Sequence, residues 1–348
     1  MKIKAGIIGA TGYAGNELVR ILMHHPNVEI THMTAKSYVG KRFDEVYENY
    51  RQLNERTLEE MDMEALAQQC DVIFMALPHG VASAAVTEQV LAETKVIDFG
   101  ADFRLKDADI YESWYGVAHH GRRLLSQAVY GLCEINRDQI RQARLIANPG
   151  CYTTCSILTL YPLLEKGLLQ EDSIIIDAKS GVTGAGRGLT LANMFDECNE
   201  SVKAYKIASH RHTPEIEEQL SYAAKQPVTL TFTPHLIPMN RGILATCYAK
   251  LKPGVKKEDL RAAYQQRYGK EYFIRLLKDG HYPETRWVKG SNFVDIGFTV
   301  DERTGRLVAI GAIDNLGKGA AGQAVQNMNL LFDLPEQTAL DEAPIFPA

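Results

Sequence analysis

The chain has 348 residues, 45% of them apolar and 23% charged, with 38 Lys and Arg against 43 Asp and Glu for a net charge of −5. That balance excludes a disordered chain, and a pI near 6.1 argues against a dedicated nucleic-acid binder, which neutralises phosphates with a basic surface. No apolar run approaches the roughly 20 residues a membrane-spanning helix needs. The amino terminus lacks a signal-peptide layout, so the expected compartment is the cytoplasm. Cys70, Cys133, Cys151, Cys155, Cys198 and Cys247 are too scattered for a disulfide framework.

At roughly 100–200 residues per domain, two domains are expected. Residues 3–8 are a short apolar run that fits a strand buried on both faces. A helix over 16–24, ended by Pro26, and a strand over 28–33 follow. Apolar runs at 72–77 and 96–99 flank a helical stretch over 81–92, and 145–147 supplies a further strand. Apolar strands alternating with helices form parallel β-α-β units, so the first 150 residues read as a doubly wound α/β domain of Rossmann type.

After residue 150 the texture changes. A helix over 153–166 and a strand over 174–178 precede the cleanly alternating run 228–233. Strands over 243–251, 293–300 and 307–313 follow, the last two joined by a turn at Thr304 and Gly305, and a helix over 320–332 closes the chain. This pattern predicts an α+β domain with a mixed, largely antiparallel sheet, one face of it solvated or at an interface.

Gly9-Ala10-Thr11-Gly12-Tyr13-Ala14-Gly15 joins the first strand to the first helix. Glycines there let the backbone turn sharply and approach a pyrophosphate held at the helix N-terminus. The spacing departs from the usual G-x-G-x-x-G, but its place in a β-α-β unit predicts a dinucleotide site. An NAD site carries an acid about 20 residues on. Here Lys36 and Ser37, then Lys41 and Arg42, stand after the second strand, which suits the 2′-phosphate of NADP(H).

Asn148-Pro149-Gly150-Cys151 breaks the chain after a strand and opens a helix. A cysteine there meets the dipole and open N–H groups that stabilise a thiolate, so Cys151 is the candidate nucleophile, whereas Cys155 one turn further in is structural. Ser209-His210-Arg211-His212-Thr213-Pro214-Glu215 matches no closed zinc pattern, and no metal is expected. Acid/base chemistry fits better, with a carboxylate such as Glu215 orienting an imidazole. From residue type alone, His210 and His212 are equivalent. The glycine-rich loop from Ser180 and Gly181 through Arg187 can approach a ligand, and Asn315 and Lys318, leading into the last helix, suit a phosphate or nicotinamide contact. A nicotinamide cofactor with an activated cysteine suggests attack on an acyl carbon, a thioester, and its reduction to an aldehyde.

These motifs, with Leu77-Pro78-His79-Gly80, Asp102-Phe103-Arg104-Leu105, Pro238-Met239-Asn240-Arg241-Gly242 and Lys318-Gly319-Ala320-Ala321-Gly322-Gln323, resemble those of the N-acetyl-gamma-glutamyl-phosphate reductase family of arginine biosynthesis over nearly the whole chain. The resemblance implies a semialdehyde dehydrogenase-like fold and NADPH-dependent reduction of an acyl phosphate, with Cys151 as nucleophile and His212 as acid/base. It also implies Ser180, Arg104, His210 and Arg241 in the substrate pocket, a small-molecule substrate, and a homodimer or homotetramer. The closing segment from 316 would pack on the cofactor domain, dividing the chain into 1–150 with 316–348, and 151–315. The family often shows Tyr-Gly-Leu-Pro-Glu, and here Cys133 replaces the proline, which bears on the rigidity of that loop. Aspartate-semialdehyde dehydrogenases share the logic but place Asn before the nucleophile, where this chain has Gly150. A carrier-linked aminoadipyl-phosphate reductase is the nearest alternative. A non-catalytic NADP-binding redox sensor is a third, and the His210–Glu215 cluster counts against it.

Overall fold

The computed structural model describes residues 2–347. They fall into two compact units, one running to Pro149 and resuming over Ala320–Asp341, the other spanning Gly150–Gly319 with the tail from Glu342. Residues 316–319 and the tail, expected with the cofactor domain, therefore group with the second unit.

In the first unit β1 (Ile3–Ile8), β2 (Val28–Thr34), β3 (Val72–Met75), β4 (Lys95–Asp98), β5 (Val129–Tyr130) and β6 (Leu145–Ala147) form a sheet of order β2-β1-β3-β4-β6-β5. Every pairing is parallel. Such a sheet is covered on both faces, which is why β3 and β6 are buried at every residue. The helical stretch expected over 81–92 is two helices, Val81–Ala85 and Glu88–Glu93. Val86 is extended, and the Thr87 hydroxyl accepts the Val90 N–H at 3.2 Å, starting a new helix.

The closing helix Gly322–Leu331 is buried all round. Two of its amide side chains tie it into the unit: Asn327 donates to Gly131 O at 2.8 Å and Asn148 Oδ1 at 3.1 Å, and Gln326 donates to Glu134 at 3.1 Å. Cys133, in the proline's place, joins this set, donating to Asn327 Oδ1 at 3.1 Å and accepting from Gln323 Nε2 at 3.0 Å. The loop whose rigidity that replacement bears on is tied to the helix by the thiol.

The second unit holds β7 (Ile174–Gly181), β8 (Lys203–Ala204), β9 (Leu230–Ile237), β10 (Ile243–Lys250), β11 (Ile274–Leu276), β12 (Val294–Asp301) and β13 (Arg306–Ile313), ordered β11-β12-β13-β10-β7-β9-β8. Two pairings are parallel, β11 with β12 and β7 with β9; the others are antiparallel. β7 continues three residues beyond the expected strand, and the strand expected over 228–233 is shifted to Leu230–Ile237. Burial in β10 alternates residue by residue, the mark of a sheet covered on one face.

The helix Cys151–Glu165 lies on the covered face. A Cβ on Gly311 of β13 would come within 2.1 Å of Thr159 Oγ1 and 3.1 Å of Cys155 Sγ, so glycine there admits the helix. Register then decides where the site forms. Ile243 pairs with Ser180 on one side and Ile313 on the other, which brings Ser180–Gly181, Arg241–Gly242 and Asp314–Asn315 to one end of the sheet. No helix among the described residues is long and apolar enough to cross a membrane.

Candidate active site

Cys151 is the first residue of its helix, which starts from Gly150 in extended conformation (φ −68°, ψ 154°) without a side-chain cap. The sulfur therefore sits where the helix dipole and its first N–H groups favour an anion. The expected helix start at 153 is two residues late because Pro149 and Gly150 end the preceding strand, and the thiol itself falls inside the first turn. Cys151 is half-buried, whereas Cys70, Cys133, Cys155 and Cys247 are buried. Burial pushes the Cys155 thiol up to about 12 and raises Cys70 and Cys247, so these remain packing thiols.

The second helix of the site, Thr213–Ala224, starts from His212 with Pro214 in its first turn. Glu215, 1% exposed, reaches from that turn to the cysteine's helix. Its Oε1 accepts the Gly150 N–H at 3.1 Å and the Thr153 hydroxyl at 2.8 Å. The Thr153 hydroxyl shares its single proton with Gly150 O at 2.7 Å, and the Thr154 hydroxyl donates to Gly150 O at 2.9 Å. One buried carboxylate thus holds the first turns of the cysteine and histidine helices together. Glu215 was expected to orient an imidazole; its Oε1 also braces the first turn of the cysteine's helix.

The two histidines separate by environment. His210 is 8% exposed and packs edge-on to Tyr152, Tyr205 and Phe232. Burial, with the positive charges of Lys206 and Arg211, lowers its pKa to about 3, and its Nδ1 accepts the His212 N–H at 3.1 Å. It is neutral near pH 7 and acts as a fixed acceptor. His212 is half-exposed, its ring centroid 4.8 Å from that of His210 and 6.0 Å from that of Tyr152, the neighbour of Cys151. Tyr205 donates to the Tyr152 hydroxyl at 3.4 Å, and Tyr152 to His235 O at 3.0 Å. Burial raises both phenols, Tyr205 to about 12, so this wall of the site is uncharged.

Residues at the sheet end have more internal work than their sequence suggests. Ser180 is 1% exposed and donates to Gly181 O at 3.0 Å. Asn315 accepts the Gly242 N–H at 2.8 Å and donates to Thr183 Oγ1 at 2.9 Å, locking two loops. Lys318 is fully buried, its Nζ 5.8 Å from the Phe273 ring centroid. Asn315 and Lys318, expected at a cofactor, are both buried in the second unit. Arg241 pairs with Asp314 along one guanidinium edge, Nε at 2.9 Å and Nη2 at 2.9 Å. Asp314 and Thr153 were not singled out from the sequence. The signal for Asp314 was its Asx-turn position ahead of Leu316 and Gly317, whose N–H groups it accepts at 2.8 and 2.9 Å.

Arg104 lies in the first unit, 5% exposed, its Nε on Asn148 O at 2.8 Å and its Nη2 on Phe99 O at 2.7 Å. These bonds brace the main chain around Asn148 and Phe99. The glycine turn of this unit fits a dinucleotide. Gly9 has φ +82°, and a Cβ on Gly15 would lie 2.3 Å from Gly9 O, so both are required by the turn itself. A Cβ on Gly12 would come no closer than 3.6 Å to Gly9 O. Internal packing does not demand glycine there, and the helix Tyr13–Met23 has no side-chain cap and no acid in its first turn, leaving its N-terminus suited to a phosphate. After β2, Lys36 and Ser37 are exposed, while Arg42 is taken by Asp44 at 2.5 Å and Glu55 at 3.2 Å. Among the described residues no three His, Cys, Asp or Glu side chains gather as a metal would need.

Residues 4–143 match the semialdehyde dehydrogenase NAD-binding domain, and residues 151–315 match the semialdehyde dehydrogenase dimerisation domain. A solved aspartate semialdehyde dehydrogenase II from Vibrio cholerae shares the fold at TM-score 0.73 and 17% identity, over 96% of this chain and 99% of that one. One from Candida albicans, solved with NADP, superposes at TM-score 0.68 and 17% identity, over 95% of this chain and 99% of that one. Fold and sequence thus define a semialdehyde dehydrogenase, an NAD(P)-binding Rossmann domain joined to a mixed-sheet domain. Within that class, an N-acetyl-gamma-glutamyl-phosphate reductase of Lachnoclostridium phytofermentans is 57% identical over 99% of this chain and 100% of that protein. That of Pelotomaculum thermopropionicum is 54% identical over 100% of both. The chain belongs to the N-acetyl-gamma-glutamyl-phosphate reductase family.

Proposed function

We propose that the chain reduces N-acetyl-L-glutamyl 5-phosphate to N-acetyl-L-glutamate 5-semialdehyde and phosphate with NADPH, a step of arginine biosynthesis, through a thioester on Cys151. The observation that carries the mechanism is the Glu215 carboxylate, bonded to Gly150 N–H and the Thr153 hydroxyl, which sets Cys151 and the His210–His212 pair at two helix starts that meet.

The Cys151 thiolate adds to the acyl carbon, the carbon–oxygen bond to phosphate breaks, and phosphate leaves with the bonding pair. NADPH, held by the glycine turn, would supply a hydride that takes the acyl group to the aldehyde level. His212 gives the proton that the resulting oxygen takes up, and it accepts that proton again as the carbon–sulfur bond breaks and Cys151 returns as thiolate. His210, neutral and buried, fixes the His212 main chain through Nδ1. Ser180 and Arg241 contribute to substrate binding. The main chain of Gly9, Thr11, Gly12, Tyr13, Ala14 and Gly15 would hold the pyrophosphate, and exposed Lys36 and Ser37 the 2′-phosphate.

We further propose self-association, as a homodimer or homotetramer in the cytoplasm, through the open face of the second sheet. Ile175 on that face is 41% exposed, and Leu189 and Phe195 in the following loop are 100% and 73% exposed.

The deciding assay is reduction of NADP⁺ in the presence of N-acetylglutamate 5-semialdehyde and phosphate, followed at the NADPH absorbance. Phosphate-dependent turnover that prefers this aldehyde to aspartate semialdehyde is expected. Silence with NADPH binding intact would favour the carrier-linked aminoadipate reaction or a sensor.

A further inference from the structure

Asp314 is the most heavily bonded carboxylate of the second unit's sheet end, and nothing in the reaction above uses it. It is fully buried. Its Oδ1 accepts from Arg241 Nη2 at 2.9 Å and from the N–H groups of Leu316 and Gly317 at 2.8 and 2.9 Å. Its Oδ2 accepts from Arg241 Nε at 2.9 Å and the Gly290 N–H at 2.6 Å. Three main-chain dipoles share the carboxylate charge with the guanidinium, so the pair is not electrostatically spent. Arg241 is gripped by one edge and keeps 19% of its side chain accessible.

Position gives that grip a purpose. A Cβ on Gly181 would lie 2.6 Å from Asn240 O and 2.9 Å from Arg241 N, so the strand end carrying Ser180 and the chain entering Arg241 are in backbone contact. The Asp314 carbonyl accepts the Gly319 N–H at 2.9 Å. Gly319 in turn abuts the nucleophile, since a Cβ there would lie 2.8 Å from Cys151 Cβ. The side chain of one residue thus orients an arginine while its main chain holds a glycine against the nucleophile.

We infer that Asp314 is a positioning residue that sets Arg241 as the arm binding an oxyanion of the substrate, either its phosphoryl group or its carboxylate. The inference rests on the proposed reaction for its substrate and on the Asp314 geometry for its residue. An arginine held along the Nε–Nη2 edge presents a planar fork in one orientation, which suits a carboxylate or phosphate better than a freely rotating cation.

Asp314→Asn keeps the shape and removes the charge. In the NADP⁺-reducing direction phosphate and aldehyde are separate substrates, so their KM values report the two sources independently. The expected result is a rise of about tenfold or more in one of them, exceeding any change in kcat, with the KM for NADP⁺ moving less than twofold. A rise for phosphate assigns the arm to the phosphoryl group; a rise for the aldehyde assigns it to the carboxylate. Arg241→Lys should raise the same KM, and the double variant should be no worse than the poorer single one. Equal KM values within twofold, or additive losses, overturn the inference. A second readout is independent of turnover: thermal-shift titration of the wild type and Asp314→Asn with inorganic phosphate and with N-acetylglutamate. A midpoint displaced about tenfold for one anion supports the arm, even if the wild type fails to turn over and the proposed reaction falls. No stabilisation of the wild type by either anion also overturns it. If Asp314→Asn does not fold, Arg241→Lys and Arg241→Gln carry the same titration.

Discussion

The two glycine-led helix starts of this molecule invite comparison. Tyr13–Met23 begins from Gly12 and Cys151–Glu165 from Gly150, both extended, both without a side-chain cap and without an acid in the first turn. At Gly12 the N–H donates to the Gly9 carbonyl of its own turn at 3.1 Å, and a Cβ would have room. At Gly150 the chain fills the turn itself, with Glu215 on the N–H and the Thr153 and Thr154 hydroxyls on the carbonyl. Under the proposed function, the first start keeps the N–H groups of its first turn for a phosphate, and the second is fastened so that the reacting sulfur stays in place.

The sharpest way to break this comparison is to remove the nucleophile alone. Cys151→Ser should lower turnover by at least roughly a thousandfold while the NADPH dissociation constant, read by nucleotide fluorescence, stays within twofold. Retained turnover would sink the covalent mechanism. The converse is Gly15→Ala, whose Cβ would press on Gly9 O at 2.3 Å. Overpacking of about 1–3 kcal/mol should weaken NADPH roughly 10- to 100-fold while alkylation of Cys151 by iodoacetamide keeps its wild-type rate.

Glu215→Gln tests the fastening. The amide keeps one acceptor oxygen for both donors but removes the charge, so the Gly150 and Thr153 bonds lose their charge assistance, and a loss of about tenfold in kcat is expected. The Cys151 alkylation rate should fall with it. A drop in Tm with both rates unchanged would reduce Glu215 to a scaffold residue.

The smallest effects are pH slopes of opposite sign in the two units. In the second unit His210 has a folded pKa near 3 against 6.5 unfolded, mainly through burial. The unfolded state binds the extra proton between those values, so this stability is present above pH 6.5 and lost as pH falls towards 3. In the first unit Asp98 is raised to about 7 by burial and by Asp102, with Gly100 N–H and Arg104 opposing, and no described residue donates to its Oδ2. There the folded state holds the proton, so stability is lost as pH rises from 3.8 to about 7. His210→Asn should flatten the acid limb of a Tm–pH curve, and Asp98→Asn should raise Tm at pH 8. An unchanged curve in either variant would discard that group as a source of the slope.

Much of the fold was written in local pattern. Continuous apolar runs marked a sheet covered twice, alternation marked one covered once, and the glycine turn and Gly150–Cys151 break marked both helix starts to within two or three residues. Short elements escaped because they have no pattern of their own: β5, β8 and β11 are two or three residues long and exist through pairing. The break in the 81–92 helix depended on whether one threonine hydroxyl would cap.

For the site, the sequence by itself determined the chemistry: one cysteine at a helix start, a histidine pair ahead of a proline, cations in place of an acid after β2. Residue type and local spacing suffice there, because thiolate stabilisation and phosphate affinity are properties of a helix terminus. Only the tertiary structure decided which polar groups serve and which support. Burial made His210 a neutral acceptor, sent Glu215 to Gly150, turned Arg104, Asn315 and Lys318 inward, and put Asp314 behind Arg241. Those roles follow from which donors and acceptors face one another once water is excluded, and partners separated by 62 residues, as Thr153 and Glu215 are, leave no mark in local sequence.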